Sequence, residues 1–180
     1  MLIIKIPQTE LFDPKTETFN YLPETVLKLE HSLISISKWE SRWGKPFLKS
    51  LEKSLTLEET IDYIKCMTIT QNVDSDVYNH ISNGNIKEII AYIEAPMTAT
   101  TFSNTEKNRI NGEIITAELI YYWMISLGIP FECQKWHLNR LITLIRVCSI
   151  KNSPGKKMTK MDIAARNKAL NEARRKKYNT

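Results

Sequence analysis

The chain has 180 residues, of which 42% are hydrophobic and 25% are charged, a balance that is typical of a soluble globular protein. Five glycines and seven prolines are too few for a fibrous or low-complexity chain. No apolar run reaches the roughly 18 residues that a membrane-spanning helix needs, and the first residues lack the features of a signal peptide. We therefore expect one domain, or one domain with an appendage, that is made and used in a cytoplasm.

Positive charge is concentrated at the C-terminal end. Residues 151–180 contain ten Lys or Arg and two Asp or Glu, a net charge of +8. The other 150 residues carry fifteen against eighteen, a net charge of −3. This asymmetry predicts a mildly acidic body over residues 1–150 and a basic appendage over residues 151–180.

The N-terminal residues, up to about residue 42, predict a β-rich arm. Leu2–Ile6 is a short run with β-branched residues that ends at Pro7, which indicates a strand. Residues 7–24 contain three prolines and predict a loop. From Glu24 to Glu40 apolar and polar residues alternate, and this alternation predicts two short strands or one long bent strand.

A helical bundle is predicted over about residues 55–150. Thr56 and Glu59 form the signature of a capping box, and the helix that they open is expected to run to about Met67. The hydrophobic pattern indicates two further short helices, over residues 74–81 and 86–94.

Two longer helices, over residues 109–127 and 132–150, form the most apolar part of the chain. Gly128 suits a left-handed helix end, and Pro130 cannot continue the helix. The short break between them favours an antiparallel pair. The second helix carries an apolar stripe at helical spacing: Leu138, Leu141, Ile145 and Cys148.

These elements predict an α+β fold, in which a small N-terminal antiparallel β-sheet packs on a mainly α-helical bundle. A basic C-terminal helix is expected to follow, because the last residues are strong helix formers up to about residue 177.

Motifs that carry chemistry are missing from the sequence. It contains no phosphate loop, dinucleotide fingerprint, zinc-protease helix or paired CxxC. Cys133 and His137 are four residues apart on a predicted helix, but a zinc site needs three or four ligands. Glu59 and Asp62 are neighbours at helical spacing with nothing to favour a catalytic pair. We predict no catalytic residue, no metal and no cofactor, and we expect the three cysteines to be buried free thiols.

Several runs of the sequence resemble one protein family. The runs are ISISKWESRWGKPFL, DYIKCMTITQNV, IEAPMTATTFS, IPFECQKWHLNRLITLIRVC and the ending ARNKALNEARRKKYNT. They are similar to small proteins encoded in the tail gene clusters of tailed bacteriophages, usually described as tail assembly chaperones. The resemblance covers residues 33–180.

The resemblance implies a non-enzymatic protein that acts in the host cytoplasm. Such a chaperone coats the long tape-measure protein while tube subunits polymerise around it, and it leaves before the virion is finished. This task requires apolar surfaces that hold amphipathic helices. The candidate partner-binding residues are aromatic: Trp39, Trp43, Tyr121, Tyr122, Trp123 and Trp136. The same residues also suit a hydrophobic core.

Two alternatives remain open at this point. The strand-rich arm suits a structural virion component of the tail, baseplate or connector that exchanges strands with its neighbours, including further copies of itself. The basic end suits a solvated helix, a dock for an acidic protein, or salt-sensitive contact with nucleic acid. Its candidate residues are Lys156, Lys157, Lys160, Arg166, Lys168, Arg174, Arg175, Lys176 and Lys177.

Overall fold

The computed structural model describes residues 1–13, 17–102, 113–152 and 160–178. It divides into two compact units, Met1–Val147 and Cys148–Thr180. The fold is α+β, with two small antiparallel sheets and a majority of helical residues, as predicted.

Four strands make up the N-terminal part: β1 (Leu2–Ile6), β2 (Thr9–Asp13), β3 (Thr18–Leu22) and β4 (Thr25–Leu29). β1 pairs with β4 and β2 pairs with β3, both antiparallel. Ile6 faces Thr25 in the first sheet, and Thr9 faces Leu22 in the second. These pairings continue one register, so the two sheets are halves of a single two-stranded ribbon.

Two prolines lie where the ribbon is interrupted. In the shared register Pro7 falls opposite Glu24, and Pro23 falls opposite Gln8. Proline has no N–H to donate, so the ladder cannot continue through these positions. The prediction of a loop over residues 7–24 is therefore wrong. This segment contains strands β2 and β3, and the prolines only interrupt the ladder.

The strand predicted to continue to Glu40 is also wrong. Helix α1 spans Leu33–Trp43, and the hydroxyl of Ser32 accepts a hydrogen bond from a backbone N–H of its first turn. Leu33, Ile36 and Trp39 are buried at a spacing of three, which places them on one side of a helix. The β-rich arm thus ends at Leu29 rather than near residue 42.

Helix α3 (Leu57–Met67) confirms the predicted capping box. The Thr56 hydroxyl accepts from the Glu59 N–H at 3.2 Å, and the Glu59 carboxylate accepts from the Thr56 N–H at 2.9 Å. The shorter helix α2 (Phe47–Glu52) was not predicted, because Pro46 begins it without a side-chain cap.

The next two predicted helices exist with altered bounds. The first is a 3-10 helix, Ser75–His80. Helix α4 spans Asn83–Glu94, so it begins three residues earlier than predicted. The hydroxyl of Ser82 accepts from the Asn85 N–H at 3.1 Å, and this cap draws the Asn-Gly-Asn sequence into the helix.

Helix α5 spans Ala117–Ser126 and is shorter than predicted. Thr116 caps it, residues 113–116 are not helical, and the predicted start at residues 109–112 lies outside the described residues. The end of α5 confirms the left-handed conformation predicted for Gly128, which has a φ of 66°. The Gly128 and Ile129 N–H groups donate back into the last turn, which makes a Schellman motif.

The helix predicted over residues 132–150 is broken. A 3-10 helix spans Phe131–Lys135, and helix α6 spans Leu138–Asn152. Between them, His137 forms a β-bridge with Ser32, and this long-range pairing interrupts the helical path. The predicted stripe on α6 is buried at Leu138, Leu141 and Ile145, while Cys148 is half-buried.

Helix α1 is the centre of the first unit. It packs against α2, α3, α5 and the 3-10 helix Phe131–Lys135. The predicted antiparallel pairing of the two long apolar helices is wrong, because α5 packs mainly against α1. The second unit contains helix α7, Lys160–Tyr178, as predicted for the basic end of the chain.

Candidate functional site

Helix α5 carries large apolar or aromatic side chains on its outer side as well as on its buried side, and its exposed polar residues are Glu118 and Ser126. Ala117, Ile120 and Met124 are buried against the body. On the outer side Tyr122 is 63% exposed and Ile125 is 64% exposed. The outer side of a surface helix is normally polar, so exposed apolar side chains at Tyr122 and Ile125 are unusual for such a helix.

Four side chains make this surface continuous, and together they are called the α5 surface: Tyr121, Tyr122, Ile125 and Phe131. Tyr121 and Tyr122 lie four and three residues before Ile125, which makes them its neighbours on the helix. The ring centroid of Phe131, itself 52% exposed, lies 6.4 Å from that of Tyr121. The Tyr121 hydroxyl donates to the Gln134 side chain at 2.9 Å, which orients its ring.

The α5 surface has the composition of a protein-binding site. Aromatic side chains give large contact area at a low cost in conformational entropy, and they are enriched where proteins meet. Exposed carboxylates of Glu118 and Glu132 lie beside it in sequence, as does the exposed Lys135. The apolar centre with a polar rim therefore suits the apolar side of an amphipathic segment.

Of the two predicted tryptophans on α1, Trp39 is part of the core. It is fully buried, and its Nε1 donates to the Glu59 carbonyl at 3.1 Å. Trp43 stacks on it with ring centroids 5.9 Å apart and is half-buried. Trp39 therefore contributes nothing to the surface, and only Trp43 of this pair is accessible to a partner.

The remaining predicted aromatic residues are half-buried. Trp123 lies on α5 between the buried and exposed sides. Trp136 is covered on one ring face by the Arg140 guanidinium, which lies 4.2 Å from the ring centroid. This cation–π contact occupies the ring face that a partner would otherwise use.

An open cleft of about 590 Å³ lies between α1 and α3. Trp43 lines it together with Asp62, whose carboxylate accepts from Arg42 at 2.6 Å and from the Trp43 Nε1 at 3.0 Å. The neighbouring Glu59 is engaged by Lys45 at 2.8 Å, and this bond lowers the pKa of its carboxyl group. The carboxylates of Glu59 and Asp62 are therefore both engaged in contacts that stabilise the fold.

A pair of buried histidines was missed by sequence reasoning. His31 and His137 have ring centroids 5.0 Å apart in an edge arrangement, and both are almost fully buried. His31 Nδ1 shares a hydrogen bond with the Tyr63 hydroxyl, and His137 Nε2 lies 2.9 Å from the Tyr92 carbonyl. Burial, followed by the neighbouring His137, lowers the pKa of His31 to about 3.

These groups do not assemble a metal centre in the part of the chain that the structure describes. No group of three or more His, Cys, Asp or Glu side chains there has a geometry that could hold a metal ion. Cys133 and His137 do not share one helix, since the 3-10 helix ends between them. Cys66 and Cys133 are buried free thiols.

Four of the basic residues predicted for the C-terminal end are exposed on α7: Arg166, Lys168, Arg174 and Arg175. Lys156 and Lys157 lie outside the described residues, and so do the side chains of Lys160, Lys176 and Lys177. Within the described helices, α7 included, none has the length and apolarity to cross a bilayer.

Comparison with protein-family models, curated proteins and solved structures found no match to this chain. The resemblance to phage tail proteins therefore stays a prediction that rests on the sequence runs quoted above.

Proposed function

We propose that this chain is a non-enzymatic assembly protein of a bacteriophage tail, which binds apolar helical segments of a partner through the α5 surface. The observation that carries the proposal is the exposed side of α5, where the large side chains of Tyr122 and Ile125 face solvent. The sequence resemblance supplies the phage context.

Within this proposal the partner is the tape-measure protein. The resemblance implies a long, aggregation-prone protein, and we expect its apolar helical segments to be uncovered until the tube encloses them. An aromatic surface on a rigid helix holds such a segment without a fixed register, because ring and methyl contacts adapt to varied partners. The affinity need only be moderate, since the chaperone has to leave as tube subunits arrive.

The first test is co-expression with the tape-measure protein of the same tail gene cluster. We expect the wild-type chain to keep this partner in the soluble fraction, and the double variant Tyr122→Ser, Ile125→Ser to leave it in the pellet. Both replaced side chains are more than half exposed, so the fold should survive the change.

Leu57→Ser is the matched control for this test. Leu57 is 69% exposed on α3, outside the α5 surface, so replacing it removes an exposed apolar side chain elsewhere on the protein. We expect it to solubilise the partner like the wild type. Equal solubilisation by the double variant and the wild type would show that the α5 surface does not bind this partner.

A second candidate, a structural component of the tail, is favoured by the N-terminal ribbon. Strands β2 and β3 contact chiefly each other, and Phe19 and Tyr21 are 60% and 62% exposed. A two-stranded ribbon with exposed aromatic residues gains stability when a neighbour covers it.

Quantitative mass spectrometry of purified virions and infected-cell lysate separates the two candidates. The chaperone is abundant in lysate and missing from virions. A fixed copy number in virions would exclude the chaperone and leave the structural component as the function of the chain.

A further inference from the structure

His137 occupies the N-cap position of helix α6, immediately before Leu138. Its Nδ1 accepts a hydrogen bond from the backbone N–H of Asn139 at 3.3 Å, which is how an N-cap side chain satisfies the first turn of a helix. Histidine is not among the preferred N-cap residues, so neither propensity nor sequence pattern points to this role.

The hydrogen bonds determine which nitrogen of His137 carries the proton. Nε2 faces the Tyr92 carbonyl oxygen at 2.9 Å, and this oxygen can only accept, so Nε2 carries the hydrogen. Nδ1 must then be unprotonated to accept from Asn139. The cap therefore exists only in the neutral imidazole.

The start of α6 is also the point where this helix joins the rest of the unit. The Leu138 N–H donates to the His31 carbonyl at 2.7 Å, and His137 forms a β-bridge with Ser32. The Asn139 side chain donates to the carbonyl oxygens of Ile93 and Ala95 at 3.0 Å and 2.9 Å. The N-cap thus ties α6 both to the junction before α1 and to the end of α4.

Titratable groups surround the two imidazoles on several sides. Tyr63 contacts His31 from α3 with Cys66 beside it, and Tyr92 contacts His137 from α4. Glu30 accepts from the Tyr92 hydroxyl at 2.6 Å and pairs with the Met1 amino group at 2.9 Å. The Glu30 charge favours a protonated His137, but burial is the larger effect and lowers the pKa of that histidine.

We propose that His137 is a proton-sensitive N-cap, and that its protonation at Nδ1 releases the start of α6 from the junction before α1 and from α4. A proton on Nδ1 converts the acceptor into a donor that faces the Asn139 N–H. It also places a positive charge at the positive end of the α6 dipole. Both effects act against the closed arrangement, in which the start of α6 is bonded to the junction before α1 and to the end of α4.

The sign of the pH dependence follows from the neutral rings. Both histidines have a pKa in the folded protein below the ordinary value of 6.5, so the unfolded chain binds protons first as the solution is acidified. The closed arrangement is therefore fully stable above pH 6.5, and it weakens as the pH falls below that value.

The test is amide hydrogen exchange of the full chain from about pH 7.5 to about pH 5, corrected for intrinsic exchange rates. We expect the protection of the Leu138, Asn139 and Leu141 amides to fall by about tenfold or more over this range, while amides inside α3 change less. In the same samples the Nδ1 resonance of His137 should report an unprotonated nitrogen at neutral pH, as the hydrogen bond from Asn139 requires. Unchanged protection, or an Nδ1 of His137 that is protonated at neutral pH, would overturn the proposal.

Two variants assign the effect to this side chain. His137→Asn keeps an N-cap acceptor that cannot titrate, so we expect the pH dependence of its α6 amides to shrink to that of the amides inside α3. His80→Asn replaces the third histidine, at the end of the 3-10 helix Ser75–His80, and should behave like the wild type. A pH dependence of wild-type size in His137→Asn would show that another group is the sensor.

Discussion

At the scale of single residues, Glu40 has a role that its place in the sequence does not reveal. It lies on α1 and is buried, yet one carboxylate oxygen accepts from the Phe47 N–H and the other from the Ala117 N–H, both at 2.7 Å. These amides are the first of α2 and α5. Burial raises the pKa of Glu40, while the two amide hydrogen bonds act in the opposite direction.

Glu40→Gln should destabilise the fold by about 1–3 kcal/mol, because a carboxamide offers one acceptor and leaves one buried helix amide facing an NH₂ group. The free energy of unfolding measured with urea at neutral pH checks this expectation. Glu118→Gln, on the exposed side of the first turn of α5, is the control and should cost about 1 kcal/mol or less. Equal losses in the two variants would contradict the bridging role.

At the scale of elements, the sequence pattern predicted correctly those features of a helix that depend on residues close together in the chain. The capping box at Thr56 and Glu59 and the left-handed position of Gly128 involve atoms a few residues apart, so the sequence pattern contained them. The misread segments depend on distant partners. Leu33–Trp43 alternates like a strand but buries one helical side, and the helix over 132–150 breaks where His137 pairs with Ser32.

The residues of the α5 surface could be predicted only in part from the sequence. Tyr121 and Tyr122 stood out as aromatic residues in an apolar run, and the structure places both on the α5 surface. Trp39 stood out equally, but its burial depends on how α1 packs against α3. Sequence alone cannot tell an exposed aromatic residue from a buried one when the neighbouring helix is distant in the chain.

Replacing two glycines with alanine should change the stability of the fold in opposite directions. Gly128 has a φ of 66°, which an alanine adopts only at a cost, so Gly128→Ala should destabilise by about 1 kcal/mol. Gly84 lies inside the first turn of α4, where an added Cβ would meet only the Ser82 Oγ at 3.5 Å. Gly84→Ala should therefore stabilise by about 0.4–1 kcal/mol. Urea unfolding of both variants measures the pair, and equal signs would contradict the assigned backbone conformations.

At the scale of the whole molecule, the division of charge remains the main electrostatic feature. The C-terminal thirty residues carry a net +8, and those described on α7 are largely exposed to solvent. Charge of this density attracts polyanions without reading their sequence, because the gain comes from releasing counterions.

We expect the full chain to bind duplex DNA weakly at about 50 mM salt and to lose most of this affinity by about 200 mM. The double variant Arg174→Ala, Arg175→Ala should lower the slope of log affinity against log salt by about 2, because each phosphate contact contributes about 0.9. Fluorescence anisotropy with two unrelated duplexes measures both the slope and the lack of sequence preference. A slope that is unchanged in the double variant would show that these two arginines do not contact phosphate.

The shared register of the N-terminal ribbon also restricts how its length can change. Ile6 with Thr25 and Thr9 with Leu22 belong to one ladder that passes across the two prolines. An insertion in one strand alone would shift every distal pair, whereas matched insertions of two residues in each strand would keep both the pairing and the outward sides. The β2–β3 part of the ribbon can therefore change in length only if both strands change together. We expect homologous chains to differ there by the same even number of residues in each strand.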